Sequence, residues 1–222
     1  MENVLLTPDT RHPAPGTRHL TPGTRIQNFL VHSILHWLGR FWLRLFGWKI
    51  HGIDPSCPKF VCVAAPHTSN WDLPFMLATA FALRARTSWL GKDSIFRPPL
   101  GLLLRALGGI PVDRRSPQSL VMQMAEEFRK RESLVLAISP EGTRKKVEYW
   151  KSGFYRIALQ SQVPIGLGYL DFEKRRCGLG MLMTPTGNIQ EDMDTIRAFY
   201  LDIKGKYPQL QSRPQLREET SQ

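Results

Sequence analysis

FVCVAAPHTSNWDLPFMLATAFAL, residues 60–83, holds the pattern on which the fold turns. Its first six residues are almost wholly apolar, as in a strand buried on both faces, and residues 73–83 read as a helix. Between them Pro66, Ser69 and Asn70 suit a turn. Further along, short apolar runs at 88–90, 110–112, 134–138, 163–170 and 178–184 read as strands. Helical stretches at 98–107, 118–131, 151–161 and 191–207 separate most of them, with Ser116 as the expected N-cap of the second. Strands alternating with helices predict an α/β fold. The expectation is a single domain with a central, mostly buried mixed sheet flanked by helices.

The whole composition agrees. The chain has 222 residues, 42% hydrophobic and 22% charged. That length suits one domain, and that balance excludes wholesale disorder and collagen-like structure. Cys57, Cys62 and Cys177 are too few for a disulfide scaffold or a Cys₄ zinc site and point to a reducing compartment. No metal site is expected. A net charge of +11 favours an anionic partner: nucleic acid, an anionic membrane surface, or a phosphorylated or CoA-like substrate. No recognised nucleic-acid motif is found and the basic residues are dispersed, so nucleic acid is not expected as a partner.

Four segments are expected. Residues 1–25 carry the unit Pro-x-Thr-Arg three times, a low-complexity basic leader read as disordered because its prolines oppose a helix. Residues 26–50 form an amphipathic membrane-interface helix or, broken at Gly39 and Gly47, a helix pair. Its wide apolar face is rich in Trp and Phe, and Arg40, Arg44 and Lys49 are placed to meet lipid phosphates. The alternative is a helix packed on the domain core. No uncharged run reaches the ~20 residues that span a bilayer, and the first 25 residues lack the apolar core of a signal peptide. Residues 51–207 form the α/β domain and 208–222 a polar tail.

Three stretches carry chemistry. His67 follows the first buried strand, where active-site groups are displayed, and Asp72 is placed to orient its ring. An i, i+5 pair is about 140° apart on a straight helix, so their contact requires the intervening turn. The alternative is that Asp72 only caps the next helix. Ser139–Lys146 reads SPEGTRKK, in which Glu141, Gly142, Thr143 and Arg144 offer backbone N–H groups, a hydroxyl and positive charge for an anion, or else make an ordinary charged turn. Residues 108–115, GGIPVDRR, allow a tight turn or close backbone approach with Arg114 and Arg115 beside it; taken alone, the stretch reads rather as a helix-ending glycine followed by an edge strand.

Together, His67-x₄-Asp72, Gly109–Arg114, Pro140–Arg144 and Val163-Pro164-Ile165 resemble, in order, the motifs of the glycerolipid acyltransferase family. Lys92 looks like the lysine before that family's second block, and 150–153 (WKSG) is similar to its lysine–glycine segment. The resemblance covers roughly residues 50–170. It implies acyl transfer from acyl-CoA or acyl carrier protein, a co-substrate rather than a cofactor, to a lysophospholipid hydroxyl, with 1-acylglycerol-3-phosphate as the foremost acceptor. It implies His67 and Asp72 as catalytic residues. Lys92, Arg114, Glu141, Gly142, Thr143 and Arg144 are the implied substrate-binding residues, and the cytoplasmic membrane face is the expected location. Two departures bear on the acceptor. The fourth block runs Gly166-Leu167-Gly168 in place of further valines, and residues 147–150 (VEYW) are bulky. Another lysolipid or lipid alcohol is the alternative acceptor, and a non-catalytic membrane-binding protein the alternative of another class.

Overall fold

The computed structural model describes residues 22–54, 57–85, 87–112 and 117–220. Residues 1–21, the bulk of the expected leader, and Arg114 with the N-cap Ser116 lie outside them. Seven strands form one sheet: β1 (Lys49–Ile50), β2 (Lys59–Ala65), β3 (Thr87–Lys92), β4 (Gly109–Val112), β5 (Leu134–Ile138), β6 (Ile165–Asp171) and β7 (Arg176–Met183). Their order is β1-β7-β6-β2-β5-β3-β4. Every pairing is parallel except the β6–β7 hairpin. The mixed, mostly buried sheet is the one expected.

Helices α1 (Pro22–Leu45), α2 (Asp72–Ala82), α3 (Leu100–Ala106), α4 (Pro117–Lys130), α5 (Gly153–Ser161) and α6 (Ile189–Tyr200) flank it. The alternation of side chains along each strand splits them between two faces. Val61, Val63, Leu136, Ile165 and Leu167 enter one core with residues of α4, α5 and α6. Phe60, Val135 and Leu179 point the other way, and on that side α2 and α1 form a second core with Leu170 and Cys177. Phe96, in the turn before α3, stacks near Trp89, whose side chain faces the same space as Val135. Thus α1, α2 and α3 share one side of the sheet.

Four expectations shift. The helix at the N-terminal end is one helix rather than a pair, because Gly39 sits inside it. A Cβ at Gly39 would meet Ala78 O at 2.5 Å, so glycine is what allows α1 to lie against α2. Gly47, at φ +70°, follows the helix end instead of dividing it. The helix also starts at Pro22, within the third Pro-x-Thr-Arg unit, since proline is tolerated in a first turn. Finally, the segment expected as a polar tail packs into the domain: Ser212 is 2% exposed and Leu216 fully buried. The sequence reading carried the last helix to residue 207, but it ends at Tyr200. Gln211 closes the turn that follows, donating to Ile203 O and accepting from Gly205 N–H.

Candidate active site

Strands β2 and β5 are parallel neighbours in register, with Val63 opposite Ile138. They therefore deliver the loops that follow them to the same place, and each expected motif occupies one of those loops. Leaving β2, the chain turns through residues 66–71 and enters α2 at Asp72. His67 Nδ1 lies 3.0 Å from Asp72 Oδ2. The same oxygen accepts from the Thr68 and Ser69 backbone N–H groups, both at 2.9 Å. The turn that the i, i+5 spacing required is thus held by the carboxylate itself. Asp72 is 5% exposed, and the His67 side chain is 28% exposed. With Nδ1 committed to Asp72, Nε2 is the nitrogen left for substrate.

Glu141 takes a different place from the one expected of a substrate-binding residue. It is 2% exposed, and its Oε2 accepts the His67 backbone N–H at 2.6 Å. Burial pushes its carboxyl up to about 7 against the pull of that hydrogen bond and of a second from the Ser212 backbone. Its Oε1 is buried and has no partner among the described residues. Glu141 therefore fastens one motif loop to the other. Gly142, at φ +65°, turns the chain outward, and a Cβ there would press on the Lys151 side chain. Thr143 and Arg144 are exposed on this turn. Lys92 ends β3, two strands from β2 in the sheet; its side chain lies outside the described residues.

Several residues around the site had no local signal in the sequence. Thr68 Oγ1 accepts from Tyr207 N–H at 3.2 Å. Ser212 Oγ accepts from Val147 N–H at 3.0 Å, and Trp150 N–H donates to Gln215 O at 2.7 Å. Tyr200 OH reaches Gly168 O and Val63 O, tying α6 to β6 and β2 beneath the site. Each partner is distant in the chain and belongs to no motif.

Two cavities open at His67. One, of about 230 Å³, runs between α2 and the sheet, walled mainly by apolar groups that include Met76, Leu83, Val135 and Leu179. Gly168 borders it, and a Cβ at Gly168 would come within 2.8 Å of Cys62 Sγ. The departure to glycine in β6 therefore leaves room against this wall. Cys62 also faces the cavity; burial pushes its thiol up to about 12, so it stays protonated and inert. The other cavity, of about 1130 Å³, is a groove between α4 and α5 on the opposite side of the sheet. Among the described residues no group of three or more His, Cys, Asp or Glu side chains is placed to hold a metal ion.

This arrangement pairs an oriented imidazole with an apolar cavity, and cations stand on the neighbouring loop. It suits proton removal from a hydroxyl beside a bound apolar group. Comparison with known proteins points the same way. The family model described as acyltransferase matches residues 48–166, somewhat over half of the chain. Over 79 residues the chain is 37% identical to proteins named 1-acyl-sn-glycerol-3-phosphate acyltransferase from Limnanthes alba and Limnanthes douglasii. Those matches span 33% of this chain and 28% of each relative. The solved structure of the 1-acyl-sn-glycerophosphate (LPA) acyltransferase PlsC from Thermotoga maritima has a similar fold, with a TM-score of 0.54 at 17% identity. That likeness covers 78% of this chain and 77% of the other.

Proposed function

The chain belongs to the acyltransferase family, and from that premise we propose that it moves a fatty acyl group from a thioester to the hydroxyl of a lysophospholipid, with 1-acylglycerol-3-phosphate as acceptor and phosphatidic acid as product. The observation that carries this reading is the His67–Asp72 pair at the mouth of an apolar cavity. In the reaction His67 Nε2 takes the acceptor's hydroxyl proton as that oxygen bonds to the thioester carbonyl carbon. Asp72 stabilises the imidazolium that results. When the tetrahedral adduct collapses, the carbon–sulfur bond breaks and the thiolate takes the proton back from His67. No covalent enzyme intermediate is needed. The apolar cavity between α2 and the sheet receives the acyl chain, and Arg144, Lys92 and Arg114 are assigned to the acceptor phosphate.

The acceptor lies in a membrane, and the α1 side of the molecule fits that setting. Ile34, Trp37, Leu38, Phe41 and Leu45 are 55–65% exposed on α1, while Gly39 and Leu43 face α2. Leu100, Leu102 and Leu103 of α3, on the same side of the sheet, are 52–77% exposed. Among the described residues no helix is long and apolar enough to cross a membrane. We assign this face to the lipid surface, bound in the interface plane.

The test is acyl transfer in membranes carrying wild type or His67→Ala, with labelled acyl-CoA and a panel of lysolipids. The His67→Ala rate is expected to fall roughly 10²–10⁴-fold, the size of general-base catalysis. A rate within a few-fold of wild type would remove His67 from the chemistry. The panel also decides the second reading, transfer to another lysolipid or lipid alcohol, which the glycines of β6 motivate, Gly168 bordering the cavity at His67.

A further inference from the structure

The two cavities adjoin. His67, Leu90, Ala137 and Ser139 border both. They meet where the sheet opens: β5 pairs with β3 only as far as Ala137 opposite Trp89, while β3 continues to Lys92 alongside β4. The chain leaves β2 and β3 toward the α2 side and leaves β5 toward the α5 side, the strand-order switch at which α/β sheets hold ligands. His67 stands where the two cavities adjoin, one on each face of the sheet.

The two cavities differ chemically. The one under α2 is apolar. The groove between α4 and α5 mixes apolar walls with Lys151, Arg156, Ser152 and Gln160, and Glu218 pairs with Arg156 at 2.8 Å along it. Two groove residues hold buried polar atoms that find no partner among the described residues, Trp150 Nε1 and Ser139 Oγ. Trp150 is 3% exposed. A buried indole N–H without an acceptor costs stability, so such a donor is suited to a ligand carbonyl.

We infer that the α4–α5 groove holds the phosphopantetheine arm of the acyl donor, so that the thioester lies at His67 with its acyl chain under α2 and its amide-bearing arm against Trp150, Ser139 and Lys151. The inference rests on the acyltransferase reading above. A thioester has its reactive carbon between an apolar tail and a long arm of amides ending in phosphate, which matches an apolar cavity and a mixed polar groove on either side of His67. The lysolipid has no such arm. Its approach is from the α1 side, so the two substrates reach His67 from opposite faces of the sheet. Coenzyme A and acyl carrier protein carry the same arm, and both fit.

Two substitutions at the groove's solvent-exposed rim test this without touching the catalytic loops: Met122→Trp on α4 and Gln160→Trp on α5. Membranes containing the full chain are assayed with acyl-CoA, acyl carrier protein thioester and the truncated thioester of N-acetylcysteamine. The KM for both full-length donors is expected to rise about tenfold or more, with the acceptor KM within twofold. The truncated donor, which lacks the arm's outer part, is expected to be used equally by wild type and variants. A rise with one carrier alone still places the arm in the groove and identifies the carrier. A raised acceptor KM with unchanged donor KM, or an equal loss with the truncated donor, would overturn the assignment. Calorimetric binding of coenzyme A to wild type and both variants reads the groove without turnover. Wild type that binds coenzyme A in a Trp-sensitive way but transfers no acyl group would retain the groove assignment and reject the reaction.

Discussion

Asp72 Oδ2 accepts from a ring nitrogen and two backbone N–H groups at once, so one carboxylate both orients His67 and shapes the loop that carries it. Glu141 does the complementary work on the His67 backbone. Removing its side chain leaves the His67 N–H buried and unsatisfied, at a cost of about 1–3 kcal/mol. Glu141→Ala is therefore expected to lower melting temperature and kcat together and to leave the acceptor KM unchanged; a residue that gripped the acceptor would raise KM. The titration of Glu141 has a definite sign. Its folded value is raised from 4.5 to about 7 by burial. Between those pH values the native state holds a proton that the unfolded chain has lost, so this carboxyl's contribution to stability is complete below about 4.5 and declines until about 7. Glu141→Gln is expected to remove that decline, and denaturant midpoints measured across this range check it.

At the scale of elements, the strands and helices that frame the site were readable from the chain, because a buried strand followed by a turn and an amphipathic helix leaves a dense local pattern. Residues 134–138 read as a strand and are one, β5. The loops that carry His67 and Glu141 were placed by the same pattern, since each follows a strand. What escaped was whatever depends on long separation. That Glu141 turns inward to His67 follows from the β2–β5 register, which no local pattern encodes. The two-residue β1 is too short to show any period. Gly39 looked like a helix breaker because its reason for being glycine, the nearby Ala78 carbonyl, lies on another helix. Two element-level outcomes follow. Ala80 of α2 faces the apolar cavity, and Ala80→Leu is expected to shift donor preference toward shorter acyl chains, read from product composition. On α1, replacing exposed Trp37 and Phe41 together by Ser is expected to reduce sedimentation with anionic vesicles while leaving the melting temperature within a few degrees, because neither side chain contributes to the packed core.

Across the whole molecule, the last described residues close the active site rather than trail from it. Tyr207 binds Thr68, Ser212 holds both Val147 and Glu141, and Leu216 is bridged to Trp150. Farther along, Glu219 pairs with Arg197 at 2.6 Å, fastening this segment to α6. A chain stopped after residue 207 is expected to keep its sheet by circular dichroism and to lose most transferase activity, with a lower melting temperature. Full activity in that truncated chain would reduce the segment to packing.

The same closure sets an order of events during synthesis. The loops bearing His67 and Glu141 leave the ribosome early, and their strands are free to pair. Residues 207–216, which add further contacts to those loops, follow much later in the chain. Domains with such distant contacts complete themselves late. A nascent chain of this protein is therefore expected to reach full activity only after residue 216 has emerged, however long its sheet has been folded.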